Sequence, residues 1–348
     1  MDMRFLGRSG LQVSTLGFGA MTFGNPPEGG SLSHVGAVEL NEARKHIDIC
    51  LDAGVNLFDT ADIYAAGRSE EILGLALGDR RKHSIVATKA FAPMGAAPHD
   101  RGLSRRHLIA ACEDSLRRLN TEWIDLYQLH SFDSLVPLEE TLRALEHLVA
   151  SGKLRYIGCS NFAGWQLMKA LGLSEKMGME RFISQQIQYS LMVRDAEQEI
   201  LPCGHDQGVG ALIWSPLAQG FLSGKFRRET TRGARLQKSG RLSAYDNPRG
   251  DAVLDALLDI AGQRHVSATQ VALNWLLARP GVTSVLFGAR TEEQLRDNLG
   301  ARAWVITPGE IERLDRASQT ELPYPAYFFR NMTGDRNPAL FPHYPAGA

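Results

Sequence analysis

Eight short apolar runs alternate with amphipathic helical segments along most of the 348 residues. The runs lie near residues 15–20, 55–60, 84–89, 124–129, 154–159, 182–188, 209–214 and 282–287. Alternation of this kind favours a parallel sheet, because parallel neighbours need a crossover connection that is usually a helix. Eight repeats predict that the sheet closes, so we expect an α/β fold, a barrel of eight strands and helices in a single domain over residues 1–348.

The elements around these runs carry recognisable start and stop signals. The chain opens with a hairpin pattern, MRFL and LQVS around a glycine-containing turn. A helix is predicted over residues 104–119, with Ser104 as the N-cap and an apolar stripe on one side. A second helix is predicted over 137–151, because Pro137 suits a first helical turn and Gly152 a helix end. Both patterns are typical of the outer helices of a barrel.

Three segments interrupt the alternation. Residues 91–103 contain proline and glycine without periodicity, as expected of a loop over the barrel mouth. Residues 217–250 form a longer insertion with many basic side chains: Lys225, Arg227, Arg228, Arg232, Arg235, Lys238, Arg241 and Arg249. This insertion suits an anion or, alternatively, a solvated surface loop. Residues 322–348 are rich in proline and aromatic residues, which argues against regular helix or central strand and predicts a C-terminal loop or tail, either draped over the substrate opening or frayed.

Charge and cysteine usage limit the expected partners. The sequence has 38 Lys and Arg against 39 Asp and Glu, so no overall field attracts nucleic acid or an anionic membrane. Four widely spaced cysteines without a C-x-x-C pair favour reduced thiols over disulfides or a zinc site, and we expect no metal. The first residues lack a secretory apolar stretch, and no segment is apolar for long enough to span a bilayer, so a cytoplasmic location is expected.

Four polar residues lie at or just past the ends of three predicted strands: Asp59, Tyr64, Lys89 and His130. In a parallel barrel the carboxyl ends of all strands open onto one face, so residues distant in the chain can converge there. Taken singly, each has an ordinary structural interpretation, such as a turn cap, a rim aromatic or a satisfied side chain at a barrel end. Taken together, they predict an active site.

The chemistry of these four residues fits the reduction of a carbonyl group. A carbonyl that receives a hydride needs a proton near neutral pH, and Tyr64 is the candidate acid. A free phenol has a pKa of about 10, which a nearby ammonium such as that of Lys89 lowers. Asp59 is the expected counter-ion of the lysine, and His130 is placed to hydrogen-bond the substrate oxygen.

In its contexts FDTADIY, ATK and QLH, the quartet resembles the aldo-keto reductase superfamily, over about residues 3–320. The resemblance implies a (β/α)8 TIM barrel with an N-terminal β-hairpin plug and long loops at the C-terminal face. It also implies that Tyr64 is the general acid, that Lys89 lowers its pKa and is paired by Asp59, and that His130 orients the substrate. The long insertion is most similar to the branch of bacterial stress-related reductases and potassium-channel β subunits.

The same resemblance implies a binding site for NADPH or NADP+. Ser160, Asn161 and Gln186 correspond to residues that hold the nicotinamide carboxamide. Trp214 corresponds to the aromatic ring that stacks on the nicotinamide, with an ordinary core aromatic as the alternative. The segment that follows resembles one that folds over the pyrophosphate, so the insertion at 217–250 is expected to cover the cofactor. Its expected contacts are Ser215, Leu217, Gly220 and Leu222.

The stretch VLFGARTEEQLRDNL resembles the one that holds the adenosine phosphate end of the cofactor. The corresponding residues are Gly288, Ala289, Arg290, Gln294 and Asn298. A helix N-terminus at this place favours a phosphate, and Arg290 suits a 2′-phosphate, which would select NADP over NAD. A plain surface arginine is the alternative. Phe287 departs from the family pattern, since many relatives carry proline at this position.

The expected function is the reversible NADPH-dependent reduction of an aldehyde or ketone to an alcohol. Its expected partner is a small carbonyl or alcohol substrate, with neither nucleic acid nor membrane, and a homo-oligomer is left open. Two alternatives stay open, NADP-dependent alcohol oxidation and a slow-turnover subunit that binds and senses the nucleotide. The substrate depends on the mouth loops. Candidates for an apolar pocket lining are Phe23, Phe91, Tyr127, Phe132 and either Tyr324 or Phe328.

Overall fold

Eight parallel strands form a closed barrel in the computed structural model, which describes residues 1–26, 35, 38–225 and 244–333. Two earlier strands, β1 (Met3–Phe5) and β2 (Gln12–Ser14), form an antiparallel hairpin. The barrel strands are β3 (Leu16–Gly19), β4 (Leu57–Asp59), β5 (Ile85–Ala90), β6 (Ile124–Leu129), β7 (Leu154–Ser160), β8 (Ser184–Gln188), β9 (Gly210–Trp214) and β10 (Val282–Phe287). Each strand pairs with the next, and β10 pairs with β3. The predicted (β/α)8 barrel is confirmed.

The α-helices follow the strands along the chain. They are α1 (Leu40–Asp52), α2 (Arg68–Leu77), α3 (Arg105–Leu119), α4 (Leu138–Ala150), α5 (Gly164–Met177), α6 (Ile200–Gln207), α7 (Pro248–Arg264), α8 (Ala268–Leu277), α9 (Glu292–Gly300), α10 (Pro308–Ser318) and α11 (Ala326–Thr333). Helices α3 and α4 lie where the capping and stripe patterns predict them. The Ser104 hydroxyl accepts a hydrogen bond from the His107 backbone N–H at 3.3 Å, as its N-cap position predicts.

The N-terminal hairpin closes the end of the barrel at which the strands begin. Leu6 is fully buried and packs inside the barrel with apolar side chains of the hairpin and the strands, which are Val13, Leu57, Ala87, Leu126, Leu212 and Leu286. The Arg4 guanidinium donates to the Val282 carbonyl at 2.6 Å, at the start of β10. Gly7 has a φ of +60°, and an added Cβ would lie 2.6 Å from the Gly208 carbonyl oxygen. Glycine is therefore required where the hairpin turn meets the barrel.

The C-terminal segment differs from its prediction. Helix α11 occupies Ala326–Thr333, although the composition of residues 322–348 argued against regular helix. The prolines that motivated the prediction precede this stretch or follow it, and AYFFRNMT itself contains neither proline nor glycine. Residues 334–348 lie outside the described part of the chain.

Most of the basic insertion, residues 226–243, also lies outside the described part of the chain. Arg249 is described and belongs to α7. Its guanidinium donates to the Met192 carbonyl at 2.9 Å and to the Ser318 carbonyl at 3.3 Å. This arginine therefore ties α7 to two other segments of the chain.

Candidate active site

The four predicted site residues lie together at the carboxyl end of the barrel. Asp59 is the last residue of β4, and Lys89 is the penultimate residue of β5. His130 directly follows β6, and Tyr64 begins a short 3-10 helix after β4. The parallel barrel therefore places three consecutive strand ends and one turn around the same space.

Lys89 and Asp59 form a buried ion pair. The Lys89 Nζ atom donates to Asp59 Oδ1 at 2.5 Å and to the Thr60 carbonyl at 2.7 Å. Lys89 has no exposed surface, and Asp59 is 4% exposed. Burial alone would lower the pKa of Lys89, but the charge of Asp59 and the hydrogen bonds to Asp59 and Tyr64 more than offset it, so the pKa is raised. Lys89 is therefore an ammonium at neutral pH.

Tyr64 lies beside this ammonium, since the Lys89 Nζ atom is 5.2 Å from the centroid of the tyrosine ring. Burial raises the pKa of the Tyr64 phenol, and the Lys89 charge and its hydrogen bond to the phenol oppose that effect without reversing it. The predicted direction was therefore wrong for the net shift, although Lys89 acts in the expected sense. The outcome keeps Tyr64 protonated near neutral pH, as a proton donor must be.

His130 completes the quartet from the next strand end. Its ring packs edge-on against the Tyr64 ring, with centroids 5.9 Å apart. Burial and then the Lys89 charge lower the pKa of His130 to about 3, so the imidazole is neutral at physiological pH. Its Nδ1 atom is buried, and within the described residues it has no hydrogen-bond partner. A neutral imidazole of this kind suits a hydrogen bond to an uncharged substrate oxygen.

The turn that presents Tyr64 is conformationally strained. Ala65 and Ala66 have φ values of +49° and +54°, and Gly67 has +94°. Left-handed alanines cost about 1–2 kcal/mol each. The surrounding bonds offset this cost, because Tyr64 N–H donates to the Ala61 carbonyl at 3.2 Å and Ala66 N–H donates to the Ile63 carbonyl at 3.1 Å. Strain of this type concentrates at functional sites.

Two buried residues that the sequence did not single out adjoin the quartet. Gln128 donates to Asp59 Oδ2 at 3.2 Å from inside the barrel. Asp62 lies between Asp59 and Tyr64 in the chain, and its backbone N–H donates to the Lys89 carbonyl at 3.1 Å. A sequence signal for Gln128 does exist. It lies two residues before His130, and residues two apart on a regular strand point to the same face, here the inside of the barrel.

The Asp62 carboxyl is fully buried. Burial first, and then the charge of Glu70, raise the pKa of Asp62 to about 8. Its Oδ1 atom accepts from the Ile63 N–H at 2.6 Å, whereas Oδ2 is without a hydrogen-bond partner in the described part of the chain. Glu70 is satisfied by Arg118 at 2.6 Å and by Thr88 at 2.5 Å. Asp62 is therefore a buried acid that is protonated at neutral pH.

The residues predicted for the nicotinamide end converge beside the quartet. Ser160 Oγ and Asn161 N–H both donate to the Gln186 carbonyl, at 2.9 and 3.1 Å. The Asn161 Nδ2 atom donates to the His130 carbonyl at 2.9 Å, and Asn161 Oδ1 accepts from Trp214 Nε1 at 3.1 Å. The ends of β7, β8 and β9 are thus joined to the loop that carries His130.

The segment after Trp214 turns sharply. Ser215 has a φ of +53°, and its Oγ atom accepts from the Gln219 N–H at 3.2 Å. The Leu217 carbonyl accepts from Gly220 N–H at 2.9 Å and from Leu222 N–H at 3.1 Å, within a short 3-10 helix. Gly220 has a φ of +98° and open space around a hypothetical Cβ, whereas the Leu222 side chain is fully buried.

The five residues predicted for the adenosine end lie between β10 and α9 or on α9 itself: Gly288, Ala289, Arg290, Gln294 and Asn298. Gln294 Oε1 accepts from the Arg290 N–H at 3.0 Å, and Asn298 Nδ2 donates to the Gly288 carbonyl at 3.2 Å. These bonds shape the turn, and the Arg290 side chain is exposed. Phe287 fills the position before this turn as a core residue, packed edge-on against Phe18 at 5.9 Å.

The aromatic residues suggested for a substrate pocket divide into three groups. Phe23 and Tyr127 have no exposed surface and pack in the core, so the suggestion that they line an open pocket was wrong. Phe91 and Phe132 are partly buried at the ends of β5 and β6. Tyr324 and Phe328 are 75% and 49% exposed. Of these six residues, Phe91 and Phe132 combine partial exposure with packing against the core.

The barrel and the polar cluster at its carboxyl end agree with comparisons to known proteins. A model of the Aldo/keto reductase family matches residues 15–319. The chain therefore belongs to the aldo/keto reductase family and is an oxidoreductase by class. The described helices include none with the length and apolar character needed to cross a membrane. Nor do the described residues hold a cluster of His, Cys, Asp and Glu suited to a metal ion.

Individual relatives match over nearly their whole lengths. An uncharacterized oxidoreductase from Bacillus subtilis, YrpG, is 40% identical over 318 residues, which cover 86% of this chain and 91% of that protein. A probable voltage-gated potassium channel subunit beta from Arabidopsis thaliana is 35% identical over 337 residues, covering 92% of this chain and 98% of the relative. A putative subunit of the same kind from Schizosaccharomyces pombe is 34% identical over 328 residues, covering 90% and 92%.

Proposed function

We propose that this protein catalyses the reversible NADPH-dependent reduction of an aldehyde or ketone to an alcohol, with Tyr64 as the proton donor. One observation carries the proposal. A protonated phenol, a buried ammonium and a neutral imidazole surround one space at the carboxyl end of the barrel, from Tyr64, Lys89 and His130. This combination supplies a proton to a carbonyl oxygen and holds that oxygen in place.

The residues around the quartet fit a nicotinamide dinucleotide. Every side-chain hydrogen bond that Gln186 makes within the described residues uses its Nε2 atom, so Oε1 remains available to accept from a carboxamide. Asn161 and Ser160 would hold the same group, and the Trp214 indole, fixed by its bond to Asn161, would stack on the ring. At the other end, Arg290 and the N-terminus of α9 would hold phosphate.

The chain performs the proton half of the reaction. A bound reduced nicotinamide would supply a hydride, that is one proton with two electrons, to the carbonyl carbon. Tyr64 gives its phenolic proton to the oxygen on which negative charge develops, and the phenolate that results lies beside the Lys89 ammonium, which stabilises it. Asp59 keeps that ammonium protonated and in position. In the opposite direction, the Tyr64 phenolate accepts the proton of the alcohol.

A second candidate is a subunit that binds the nucleotide and turns over slowly. The observation in its favour is that two relatives are named as potassium channel β subunits. The alignments with this chain cover 98% and 92% of those relatives. It differs from the main proposal in rate and not in the residues that hold the nucleotide. Kinetic measurement therefore separates the two.

The test is to mix the purified protein with NADPH and a panel of small aldehydes, diketones, quinones and bulky cyclic ketones. The decrease in NADPH absorbance is followed over many turnovers. Steady multiple turnover with any member supports a reductase. A single turnover or none, together with tight NADPH binding, supports the slow subunit instead. Rates with NADP+ and the matching alcohols show the preferred direction.

The role of Tyr64 is tested by Tyr64→Phe, which removes the phenolic oxygen and little else. We expect kcat to fall by about 10²- to 10⁴-fold, because that is the usual contribution of a positioned general acid. NADPH affinity, measured by quenching of tryptophan fluorescence, should stay within about threefold, a difference of well under 1 kcal/mol. A variant that keeps most of its turnover would remove Tyr64 from this role.

A further inference from the structure

Asp59 is the centre of a buried hydrogen-bond network that joins four strands. Its Oδ1 atom accepts from Lys89, whereas its Oδ2 atom accepts from Gln186 Nε2 at 2.7 Å and from Gln128 Nε2 at 3.2 Å. The Gln186 amide also donates to Gln128 Oε1, at 3.5 Å. These side chains come from β4, β5, β6 and β8. Both carboxylate oxygens are therefore held from different sides.

The barrel fixes the place of Gln128 in this network. Gln128 is opposite Lys89 in the pairing of β5 with β6, and it has no exposed surface. On its other side it pairs with Gly158 of β7, where an added Cβ would lie 3.5 Å from Gln128 Cγ. Glycine is required there by β8, because the same Cβ would lie 2.9 Å from the Ser184 carbonyl oxygen, whereas its distance to Gln128 is that of an ordinary contact.

The energetic importance of Gln128 follows from the burial of Asp59. A buried carboxylate needs a donor on each oxygen, and hydrogen bonds to charged groups contribute more than neutral ones. Without Gln128, Oδ1 keeps the Lys89 donor and Oδ2 keeps the Gln186 donor, but the carboxylate loses the donor from β6 and can turn toward Gln186. Because Asp59 Oδ1 is the anionic partner of Lys89 Nζ, which also bonds the Thr60 carbonyl and the Tyr64 phenol, a rotated Asp59 draws the ammonium away from Tyr64.

We propose that Gln128 is a positioning residue of the reductase site, which fixes the Asp59 carboxylate so that Lys89 stays beside the Tyr64 phenol. Its kinetic consequence rests on the proposed function, whereas its structural consequence concerns the chain alone. The charged and titratable groups that face Tyr64 are Lys89, Asp59, Asp62 and His130. Among them Lys89 is the cation that stabilises phenolate, so its displacement makes Tyr64 a weaker acid.

The test uses Gln128→Met, which keeps the volume and removes the amide, with Gln185→Met as the matched control. Gln185 is also a fully buried glutamine, but its Nε2 atom donates to the Ile200 carbonyl at 2.9 Å, away from the quartet. Loss of stability is expected in both variants. Only Gln128→Met should alter Lys89 and Tyr64.

The first measurement is the ¹⁵N-detected signal of the Lys89 ammonium in the protein without added ligand, assigned with Lys89→Met. We expect a slowly exchanging signal in the wild type and in Gln185→Met, and its displacement or loss in Gln128→Met. An unchanged signal in Gln128→Met overturns the proposal, as does a wild type in which Lys89 gives no protected signal.

The second measurement is the pH profile of kcat and kcat/KM. Gln128→Met should lower kcat by about 10- to 100-fold, the range expected for a hydrogen bond to a charged group. The alkaline limb should move to higher pH, which a general loss of stability would not cause. Wild-type kinetics despite a displaced Lys89 signal would overturn the positioning role. If the Lys89 signal is displaced in Gln128→Met but the wild-type protein shows no turnover, the proposed function is overturned instead.

Should Gln128→Met fail to fold, Gln128→Glu carries the same test. It keeps the shape and the acceptor for Gln186, and replaces the donor to Asp59 with an oxygen. Its effect on the Lys89 signal and on kcat should increase as the pH rises and the new carboxylate ionises. A pH-independent effect would contradict the proposal.

Discussion

Asp62 shows how a single buried acid makes the stability of the fold depend on pH. Its pKa is raised to about 8 in the folded protein, mainly by burial, against about 4 for an exposed aspartate. Below pH of about 4, both the folded and the unfolded chain carry the proton. Between about 4 and 8, the unfolded chain loses it and the folded chain keeps it, so the free energy of unfolding falls as the pH rises.

We therefore predict that Asp62→Asn flattens the pH dependence of stability in that window. The amide keeps the acceptor for the Ile63 N–H and carries no charge, so the gain over wild type should grow to a few kcal/mol near pH of about 8. Urea unfolding at several pH values measures this gain. Asp48→Asn is the control, because it is the same substitution at a side chain that is 53% exposed. Parallel curves for Asp62→Asn and wild type would contradict the prediction.

Arg290 is the residue on which the choice between NADPH and NADH is expected to depend. Its side chain is exposed next to the N-terminus of α9, where Thr291 caps the helix. Arg290→Ala should weaken NADPH binding by about 10- to 100-fold, since it would remove the proposed charge-assisted bond to the 2′-phosphate, and should leave NADH nearly unchanged. Arg296→Ala on the same helix is the control, because its guanidinium is paired with Glu292. Equal losses for both nucleotides would show that the 2′-phosphate is held elsewhere.

At the scale of single residues, the sequence revealed which groups were present but not their surroundings. Asp59, Lys89 and His130 follow apolar runs, so their position at the open end was readable. The role of Gln128 was not, because its spacing from His130 indicates the inner face, but its neighbours Lys89 and Gly158 depend on the register of the closed barrel. Burial also decides the net pKa of Tyr64, and no local pattern shows how much solvent reaches a phenol.

Helix α2 is positioned by a close approach to α3. An added Cβ at Gly74 would overlap the Leu119 carbonyl group at the end of α3, including its carbon at 2.6 Å. Helix α2 also carries Glu70 and directly follows the strained turn of Tyr64. The distance between α2 and α3 therefore affects how firmly the turn that carries Tyr64 is held.

We predict that Gly74→Ala destabilises the protein by about 1–3 kcal/mol, because the overlap outweighs the better helix propensity of alanine. Gly172→Ala in α5 is the matched control, since nothing lies within 4 Å of its hypothetical Cβ. There the propensity acts alone, and a gain of about 0.5–1 kcal/mol is expected. Thermal unfolding distinguishes the two. Equal effects of both substitutions would mean that α2 can move away from α3 at little cost.

At the scale of elements, strands and helices were predicted correctly where a single local sequence pattern was enough to define them. The strands of a parallel barrel are covered on both faces, so they appear as short apolar runs, and all eight were found. Caps such as Ser104 fixed the helix starts. The prediction for residues 322–348 was wrong at α11, because composition was averaged over a segment in which the prolines lie outside the eight helical residues.

The whole molecule is also held by a buried ion network outside the barrel interior. Glu197 is 4% exposed and accepts from Arg194 at 2.8 and 2.9 Å and from the Tyr189 hydroxyl at 2.5 Å. Arg279 pairs with Asp315 at 2.8 Å and lies over the ring of Trp275. The network joins the segment after β8 to α8 and α10, which are distant in sequence.

The charge of Glu197 should therefore contribute to stability at neutral pH. Burial would raise the pKa of this carboxyl, but hydrogen bonds from Arg194 and the charges of Arg194 and Arg279 outweigh it, so the pKa is lowered. A depressed pKa means that the stabilisation is complete above the unfolded value of about 4.3 and is lost as the pH falls below it.

Glu197→Gln should cost about 3–5 kcal/mol at neutral pH, because it removes the carboxylate that Arg194 contacts at two nitrogens and leaves Asp315, 3.4 Å away, as the partner of this buried charge. The cost should shrink as the pH falls below about 4, because the unfolded wild-type chain then binds a proton that the folded carboxylate, with its lowered pKa, binds only at still lower pH. Urea unfolding of both proteins across that range tests the prediction. Glu312→Gln is the matched control, because Glu312 and its partner Arg316 are 75% and 74% exposed, and its effect should stay below about 1 kcal/mol. A cost for Glu197→Gln that equals this control, or that is the same at every pH, would show that the helices are held to the barrel by apolar packing alone.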